Sequence, residues 1–264
     1  MNIGIIGYGV VGKACAQGYE HLGHKVLIHD LRLDSKIEDM LATEILFICV
    51  SSPSKNDNSC DISNVEGCVN DLKRINYSGV ICIKSTVEPG STLALSNKYN
   101  LELCFVPEFL RERQAYLDFI ENHDLLAIGS TNKFQQKLII KAHGNLPKSI
   151  KILSPTEAEL LKYFSNSLNA LKVIFANNFY EFSKSLDADY SNILEAYLER
   201  NIKASDYLIA NERLRGYGGP CLPKDVKALI ALTKKLNLPF ELFSAIDHDN
   251  QYIETTVFSG MRKN

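Results

Sequence analysis

The most constraining feature of the sequence is a glycine-rich motif directly after an apolar run at the amino terminus. The run Ile3–Ile6 leads into six residues with the pattern G-x-G-x-x-G: Gly7, Tyr8, Gly9, Val10, Val11 and Gly12. A strand, a tight turn and a helix in that order open a dinucleotide-binding fold. We expect Gly7 to form the turn, Gly9 to admit a pyrophosphate beside the backbone, and Gly12 to let helix and strand pack closely. The motif therefore predicts a Rossmann-type domain at the start of the chain.

An acidic residue at the end of the next apolar run indicates which dinucleotide binds. Asp30 closes the run Lys25–His29, about twenty residues after the glycines, where the motif requires an acid. A carboxylate there accepts a hydrogen bond from the ribose 2′-hydroxyl and repels a 2′-phosphate, so we expect NAD rather than NADP. The nearby Arg32 leaves tolerance of NADP open, and a glycine-rich turn without a ligand is the alternative interpretation.

Seven short apolar runs alternate with helical patterns over the first half of the chain. They are bounded by Gly, Pro and Asn, as buried strands are, and they span Ile3–Ile6, Lys25–His29, Ile45–Val50, Val80–Lys84, Glu102–Val106, Leu125–Ile128 and Ile150–Leu153. Helices between such strands make βαβ units with right-handed crossovers. We expect residues 1–153 to form an NAD-binding α/β domain of the Rossmann type, with a mostly parallel sheet.

The character of the sequence changes at Ser154. Ser154, Pro155 and Glu157 form a capping box with proline at the first helical position. No Gly or Pro follows from Thr156 to about Leu186, and apolar residues recur there at helical spacing. Further helical patterns cover Asn192–Glu199, Lys224–Leu236 and Leu242–Thr256. We expect residues 154–264 to form an all-α domain on a long central helix, whose two-sided apolar pattern also predicts a homodimer.

A second glycine-rich segment places a cysteine at a predicted helix start. The segment from Gly216 to Asp225 reads GYGGPCLPKD. In the first turn of a helix, the helix dipole and the neighbouring Lys224 would lower the pKa of the Cys221 thiol. Asp225, four residues on, lies on the same helical face and could position a water. A loop cysteine without a chemical role is the alternative interpretation.

Three more segments supply candidate polar groups. Lys162 and Asn166, four residues apart on the predicted long helix, are an ammonium and an amide suited to stabilising an oxyanion; a solvated lysine is the alternative. The segments KSTVEPG and VPEFLRE each follow a predicted strand. Loops at the carboxyl ends of parallel strands form the ligand crevice of open α/β sheets. These loops bring three polar side chains to that crevice: Thr86, Glu108 and Glu112.

The composition excludes several classes of protein. Of the 264 residues, 45% are hydrophobic and 23% charged, with a net charge of −2, so a basic footprint for nucleic acid is absent. The longest apolar runs are too short to cross a membrane. The seven cysteines include no C-x-x-C pair, so no metal site is predicted. An odd number of thiols, mostly in apolar runs, and no basic segment at the amino terminus predict a cytoplasmic protein.

Taken together, the motifs resemble those of the UDP-glucose/GDP-mannose dehydrogenase family, the nucleotide-sugar 6-dehydrogenases. Six segments match in order over most of the chain: GYGVVG, FICVSSPS, KSTVEPGST, VPEFLRE, ELLKYFSNSLNALKVIFANNF and GYGGPCLPKD. The cysteine segment is the most specific of them.

The resemblance implies an NAD-dependent, four-electron oxidation of a primary alcohol to a carboxylate on a nucleotide sugar such as UDP-glucose. Hydride leaves C6 to give an aldehyde, the Cys221 thiolate adds to it, a second NAD takes hydride from the thiohemiacetal, and the thioester is hydrolysed. By family analogy, Lys162 and Asn166 stabilise oxyanions, and Asp225 and Thr86 position water. Glu108 acts as an acid/base group in the hydrolysis.

The resemblance also implies two sets of binding residues. Those for the sugar are Glu108, Phe109, Leu110, Lys162, Asn166, Tyr217, Gly218 and Cys221. Those for the dinucleotide, besides the glycine motif and Asp30, are Ser52, Pro53, Ser85, Thr86 and Glu112, the last expected near the nicotinamide.

Three departures from the family pattern keep alternatives open. One is that the segment from Ala204 to Tyr207 holds no clean counterpart of the basic residue that the family places shortly before the cysteine loop. The family continues past the central helix into a second nucleotide-binding domain that we expect this chain to lack, and Pro220 stands where the family has serine before the cysteine. One alternative is a two-domain β-hydroxyacid dehydrogenase that uses Lys162 and Asn166 for a single hydride transfer. The other is a non-catalytic NAD-binding protein.

Overall fold

The protein was analysed as a computed structural model, which describes residues 1–199, 206–239, 241–253 and 255–256. Its sheet strands match the seven predicted runs, with ends shifted by at most two residues. They are β1 Asn2–Ile6, β2 Lys25–His29, β3 Ile45–Ile48, β4 Val80–Ile83, β5 Leu103–Phe105, β6 Leu126–Gly129 and β7 Ile150–Leu153.

Over the described residues these strands form one sheet in the order β2-β1-β3-β4-β5-β6-β7. Neighbouring strands are parallel except at one place, where Phe105 of β5 lies opposite Gly129 of β6 in an antiparallel pair. The predicted mostly parallel sheet is confirmed, but β6 and β7 run against the other five strands. The helix between β5 and β6 spans only Ala115–Ile120 and packs beside the first helix, so the chain re-enters the sheet from the end at which it left β5.

The helices include every one predicted in the second half of the chain. They are α1 Val10–His21, α2 Ser63–Arg74, α3 Ser91–Tyr99, α4 Ala115–Ile120, α5 Lys133–His143, α6 Pro155–Ser185, α7 Tyr190–Leu198, α8 Leu222–Lys235 and α9 Leu242–Tyr252. The predicted capping box is present at α6: the Ser154 amide donates to the Glu157 carboxylate at 2.7 Å, and the Glu157 amide donates to the Ser154 hydroxyl at 3.3 Å. Helix α9 ends at Tyr252 rather than near Thr256.

The chain divides into two units. We call Met1–Pro53 with Asp61–Lys162 the N-terminal unit, and Ser54–Cys60 with Tyr163–Asn264 the helical unit. The division falls within α6, between Lys162 and Tyr163, a little more than two helical turns after the change of character at Ser154. The domain boundary expected between residues 153 and 154 stays a prediction.

The core of the N-terminal unit consists of two apolar layers, one on each face of the sheet. Strand β3 shows the arrangement: Ile45 and Phe47 belong to one layer, and Leu46 and Ile48 to the other. All four side chains are completely buried. Because successive side chains of a strand point to opposite faces, a strand covered on both sides needs an unbroken apolar run, which explains why the strands were visible in the sequence.

The helical unit has a smaller core, around α6, α8 and α9. Its largest cluster of buried residues contains Ala170, Ile174, Tyr217, Val226 and Ile246. In the described ranges, no helix combines the length and the apolar composition that crossing a bilayer requires.

Candidate active site

A cleft of about 620 Å³ lies in the N-terminal unit at the carboxyl ends of β1, β2 and β3. The chain leaves β1 to form β2 on one side and later returns to form β3 on the other, so this edge is the point where the strand order reverses. Open α/β sheets bind their ligands at that point. The walls come from the glycine loop, the end of β2 and one face of α2. The contribution of α2, including Ser63 and Asn64, was missed from the sequence because no motif marks it.

The three glycines of the motif differ in how much room their backbone leaves for a side chain. Gly7 has φ +92°, and a Cβ there would lie 2.8 Å from the backbone of Cys49. A Cβ on Gly12 would lie 1.9 Å from the carbonyl oxygen of Gly7, whereas one on Gly9 meets nothing within 4 Å. Close packing therefore requires glycine at positions 7 and 12, whereas the backbone of Gly9 is left uncovered.

The start of helix α1 is also suited to an anion. Gly9 is the N-cap residue, no side chain caps the helix, and its first turn carries no acidic residue. The first-turn amides of such a helix lack intrahelical partners and attract phosphate. With the bare backbone at Gly9, these groups fit the pyrophosphate of a dinucleotide.

Asp30 lines the cleft, and its carboxylate is already paired with a cation. Its Oδ2 accepts a hydrogen bond from the Tyr8 amide at 2.7 Å, and its Oδ1 forms an ion pair with Arg32 Nε at 2.8 Å. The hydrogen bonds from Arg32 and the Tyr8 amide hold the pKa of the Asp30 carboxyl well below its usual range, against the opposing effect of burial. Asp30 is therefore an anion whose two oxygens already accept hydrogen bonds from Tyr8 and Arg32.

Lys162 and Glu108 form a buried ion pair in the N-terminal unit. The Lys162 ammonium donates to the Glu108 carbonyl oxygen at 2.7 Å and to its Oε1 at 3.1 Å, and the side chains are 5% and 11% exposed. Glu108 Oε2 accepts from the Leu110 amide at 2.7 Å, and the ammonium lies 5.7 Å from the ring centre of Phe109. The fold thus brings together four predicted site residues, and Lys162 is not the solvated lysine of the alternative interpretation.

Glu159, one turn before Lys162, is a residue that the sequence did not single out. It is completely buried, and its carboxylate accepts from the amides of Gly90 at 2.5 Å and Thr92 at 2.8 Å, at the start of α3. Burial raises the pKa of Glu159, and the hydrogen bonds from Thr92 and Gly90 oppose that rise. Glu159 therefore ties the KSTVEPG loop to α6. No local signal distinguishes it from a surface glutamate.

Five other residues predicted to bind the dinucleotide do not line this cleft: Ser52, Pro53, Ser85, Thr86 and Glu112. Ser85 is buried, and its hydroxyl donates to the Val50 carbonyl at 2.6 Å, while Thr86 and Ser52 are half-buried and Pro53 is exposed. Glu112 is exposed and lines a separate hollow of about 340 Å³ with Val10 and Lys13. The roles expected for these residues stay predictions.

Cys221 lies at the start of α8 in the helical unit, as predicted. It is the N-cap residue and is exposed, whereas the other six cysteines are buried or half-buried. The Cys221 carbonyl accepts the first helical hydrogen bond, from the Asp225 amide at 3.0 Å. The sulfur-bearing residue and Asp225 thus belong to the same first turn of α8.

Asp225 is completely buried and holds two polar partners. Its Oδ2 accepts from Asn166 Nδ2 at 2.5 Å, and its Oδ1 lies 2.9 Å from the Lys224 ammonium. The fold therefore joins Asn166 to Asp225, a contact that the spacing along the chain did not indicate.

Asn250 of α9 positions the glycine-rich cysteine loop from the side. Its Oδ1 accepts from the Tyr217 amide at 2.8 Å, and its Nδ2 donates to the Tyr217 carbonyl at 3.0 Å. Next to it, Gly216 has φ +60°, a conformation that favours glycine. The Tyr217 side chain is 3% exposed and packs in the core of the helical unit, and Gly218 is half-buried. Their contribution to a sugar site stays a prediction.

The fold and the cleft define the chain as a Rossmann-type dinucleotide-binding protein with a helical unit that carries a cysteine loop. Residues 29–146 match the NAD binding domain of the UDP-glucose/GDP-mannose dehydrogenase family, and residues 156–252 match its central domain. The chain belongs to this family of NAD-dependent dehydrogenases, and NAD is the cofactor of its N-terminal unit.

Relatives in sequence and in structure agree with this assignment. A UDP-glucose 6-dehydrogenase of Rickettsia bellii is 29% identical over 95% of this chain and 67% of its own length. The solved UDP-glucose dehydrogenase of Pyrobaculum islandicum has a TM-score of 0.86 at 27% identity, over 95% of this chain and 68% of that one. The chain thus spans about two thirds of the length of these relatives.

A third comparison concerns the β-hydroxyacid dehydrogenase alternative. A 3-hydroxyisobutyrate dehydrogenase of Mycobacterium tuberculosis has a TM-score of 0.74 over 95% of this chain and 92% of that one, at 10% identity. At that identity the similarity shows a shared fold alone.

Proposed function

We propose that this chain carries out the NAD-dependent, four-electron oxidation of the C6 alcohol of a nucleotide sugar to the uronic acid, through a thioester on Cys221. The observation that carries the proposal is the first turn of α8. There an exposed cysteine occupies the N-cap position, and Asp225, in the same first turn, is buried and accepts a hydrogen bond from Asn166. A dehydrogenase that stops at the aldehyde has no use for a cysteine, since only addition of a nucleophile makes the aldehyde a hydride donor again.

Cys221 supplies that nucleophile. NAD⁺, when bound, accepts one hydride from C6 in each of the two oxidations. As a thiolate, the sulfur adds to C6 of the aldehyde, a C–S bond forms, and the carbonyl π electrons move to oxygen. The helix N-terminus favours the thiolate that this step requires.

Lys162 and Asn166 stabilise the resulting oxyanion. Lys162 has three N–H donors and Asn166 two. Part of each set is used by Glu108 and Asp225 respectively, and those bonds fix the orientation of the donors. Charge-assisted donors in a water-poor site are the strongest way to stabilise such a charge.

The thioester is then hydrolysed. Water adds to the acyl carbon, the C–S bond breaks, and the Cys221 thiolate leaves, with Asp225 and Thr86 positioning the water and Glu108 accepting its proton. The balance over the whole reaction is one alcohol, two NAD⁺ and one water giving one carboxylate, two NADH and three protons.

The test is the amount of NADH formed per UDP-glucose consumed, with the full chain and Cys221→Ser. We expect a ratio of two for the original chain and one or less for the variant. Cys60→Ser, which makes the same change in another loop, is the control and should keep the ratio of two. Unchanged turnover in Cys221→Ser would remove this cysteine from the mechanism.

The same assay separates the alternatives. Turnover of small hydroxy acids with one NADH each, insensitive to alkylation of Cys221, would favour a β-hydroxyacid dehydrogenase. Binding of NAD without turnover of any sugar nucleotide would favour a non-catalytic protein.

We also propose a homodimer formed through α6 in a cytoplasmic setting. The support for the dimer is an aromatic stripe, Phe175, Phe179 and Phe182, whose side chains are 54%, 42% and 62% exposed with neighbouring rings 4.7 and 6.0 Å apart. Exposed apolar patches of this kind mark interaction surfaces. Light scattering at micromolar concentration should give the mass of a dimer, and Phe179→Asp that of a monomer. A monomeric mass for the original chain would refute the dimer.

A further inference from the structure

The guanidinium of Arg32 covers the ribose end of the cleft. Nε donates to Asp30 Oδ1 at 2.8 Å, Nη2 donates to Asp30 Oδ2 at 2.9 Å, and Nη2 also lies 3.3 Å from the Tyr8 carbonyl oxygen. The backbone amides of Tyr8 and Arg32 donate to the same carboxylate at 2.7 and 2.9 Å. Each carboxylate oxygen therefore already accepts two hydrogen bonds, which is its ordinary capacity.

A ribose hydroxyl can bond to Asp30 only if Arg32 gives up part of this pairing. The side chain of Arg32 is 72% exposed, against 10% for that of Asp30. Because the Arg32 side chain is exposed, water can replace the hydrogen bonds that it gives up when it leaves Asp30. The Arg32 guanidinium can therefore turn away from Asp30 while its residue still lines the cleft.

The pairing with Arg32 also weakens the repulsion that the Asp30 carboxylate would exert on a 2′-phosphate. A lone carboxylate excludes a 2′-phosphate by charge, but here the Asp30 charge is balanced by Arg32. The other acidic side chain that lines the cleft is Asp71, on α2. Guanidinium groups bind phosphate through two parallel hydrogen bonds, so the group that neutralises Asp30 is also a phosphate ligand.

We propose that Arg32 determines dinucleotide specificity and makes the site accept NADP⁺ as well as NAD⁺. Its guanidinium yields one Asp30 oxygen to the 2′-hydroxyl of NAD⁺, and it turns to the 2′-phosphate of NADP⁺. The inference rests on the dinucleotide cleft and not on the Cys221 chemistry, so the two can fail separately.

The test is calorimetric binding of two fragments, 5′-AMP and adenosine 2′,5′-bisphosphate, to the full chain. These fragments differ only in the 2′-phosphate, and no turnover is needed. The original chain should bind both with affinities within about tenfold of each other. Arg32→Ala should weaken the bisphosphate by about 10- to 100-fold, the range of a hydrogen-bonded charge contact, and change 5′-AMP by less than about threefold. The affinity of Arg32→Lys for the bisphosphate should lie between those of the original chain and of Arg32→Ala.

Lys25→Ala is the matched control, because Lys25 is exposed at the opposite end of β2. It removes one positive charge without touching the cleft, so the ratio of the two affinities should not change. Asp30→Asn should weaken 5′-AMP and leave the bisphosphate bound.

Three results would overturn the proposal. The original chain could bind 5′-AMP but bind the bisphosphate more than about 100-fold more weakly, which would leave Asp30 as the dominant charge. Arg32→Ala could weaken both fragments equally, which would make Arg32 a packing surface for adenine. Failure of both fragments to bind would remove the cleft itself as the cofactor site, whereas loss of sugar oxidation with both fragments bound would count against Cys221 alone.

Discussion

The two units of this protein differ in how they arrange their phenylalanine side chains. In the N-terminal unit, Phe47, Phe105 and Phe119 are at most 1% exposed, between the sheet and its helices, and Phe134, on α5, is 67% exposed. In the helical unit, Phe175 and Phe182 leave more than half of their surface exposed. The α/β unit thus completes its own core, and the helical unit presents an apolar surface. A sheet covered on both faces closes its core within one unit, whereas a single long helix has more circumference than its few neighbours cover.

Phenylalanine truncations should show this contrast with the largest effect. Phe47→Ala, in the N-terminal core, should lower the free energy of unfolding by about 3–5 kcal/mol, the loss typical of a buried ring. Phe179→Ala, on the exposed stripe, should lower it by less than about 1 kcal/mol in the monomer. Urea denaturation at low protein concentration measures both. Equal losses would contradict the contrast, and Phe47→Leu provides a milder version if Phe47→Ala does not fold.

Acid should destabilise the N-terminal unit first. Burial, together with the nearby Lys84 charge, lowers the pKa of His123 to about 4 and that of His143 well below its usual value. Both folded-state values lie below the value of about 6.5 in the unfolded chain, so the unfolded chain binds more protons as the pH falls from about 6.5 towards 4. Stability should fall by about 1.4 kcal/mol per pH unit for each histidine in that window.

The midpoints of urea unfolding, measured between pH 7.5 and 5.5, test this dependence. That pH range lies above the one in which most carboxylates titrate, so the histidines dominate the change. His123→Gln should flatten the slope by removing one of the two groups. Hydrogen exchange at pH 5.5 should show earlier opening in the sheet strands than in α8. A flat profile in the original chain would show that the histidines take up protons without loss of the fold.

Removing the Glu159 carboxylate should have a smaller effect, again in the N-terminal unit. Glu159→Gln keeps the shape but offers one acceptor oxygen to two buried amides, so the free energy of unfolding should fall by about 1–3 kcal/mol. Glu157→Gln, two residues earlier and exposed, is the control, because glutamine can still serve in the capping box. Thermal unfolding of both variants decides the point, and equal melting temperatures would contradict a special role for Glu159.

The smallest effect on stability is expected for Asn250→Ala in the helical unit. Both of its hydrogen bonds to the Tyr217 backbone are only partly buried, so water can replace them at a cost of about 1 kcal/mol. The cysteine loop should nevertheless loosen, and kcat for sugar oxidation should fall more than the stability loss explains. If kcat stays unchanged, the loop does not depend on α9 for its position.

Much of the fold could be predicted because its signals are local. The strands stand out as unbroken apolar runs, since burial on both faces leaves no room for polar residues. Ser154 and Glu157 predict the start of α6, because the hydrogen bonds of a capping box form within one helical turn. Gly7, Gly12 and Cys221 were found for the same reason: a turn, a close backbone contact and a helix cap each involve a few consecutive residues.

The contacts that the candidate site residues make within each unit could not be predicted, because they join residues distant in the chain. The pairs Asp225–Asn166 and Glu108–Lys162 come from different elements, and the sequence showed only that each residue has suitable chemistry. The direction of β6 and the burial of Glu159 depended likewise on packing between elements.

The amino-acid sequence by itself determined the strands, the helix starts and the glycine loop, because backbone sterics and the periodicity of burial act over short stretches. Only the tertiary structure decided that Asn166 donates to Asp225 and that Tyr217 lies in a core. The hydrogen-bond partners of a side chain and its shielding from water depend on which distant residues pack around it. A short stretch of sequence does not contain that information.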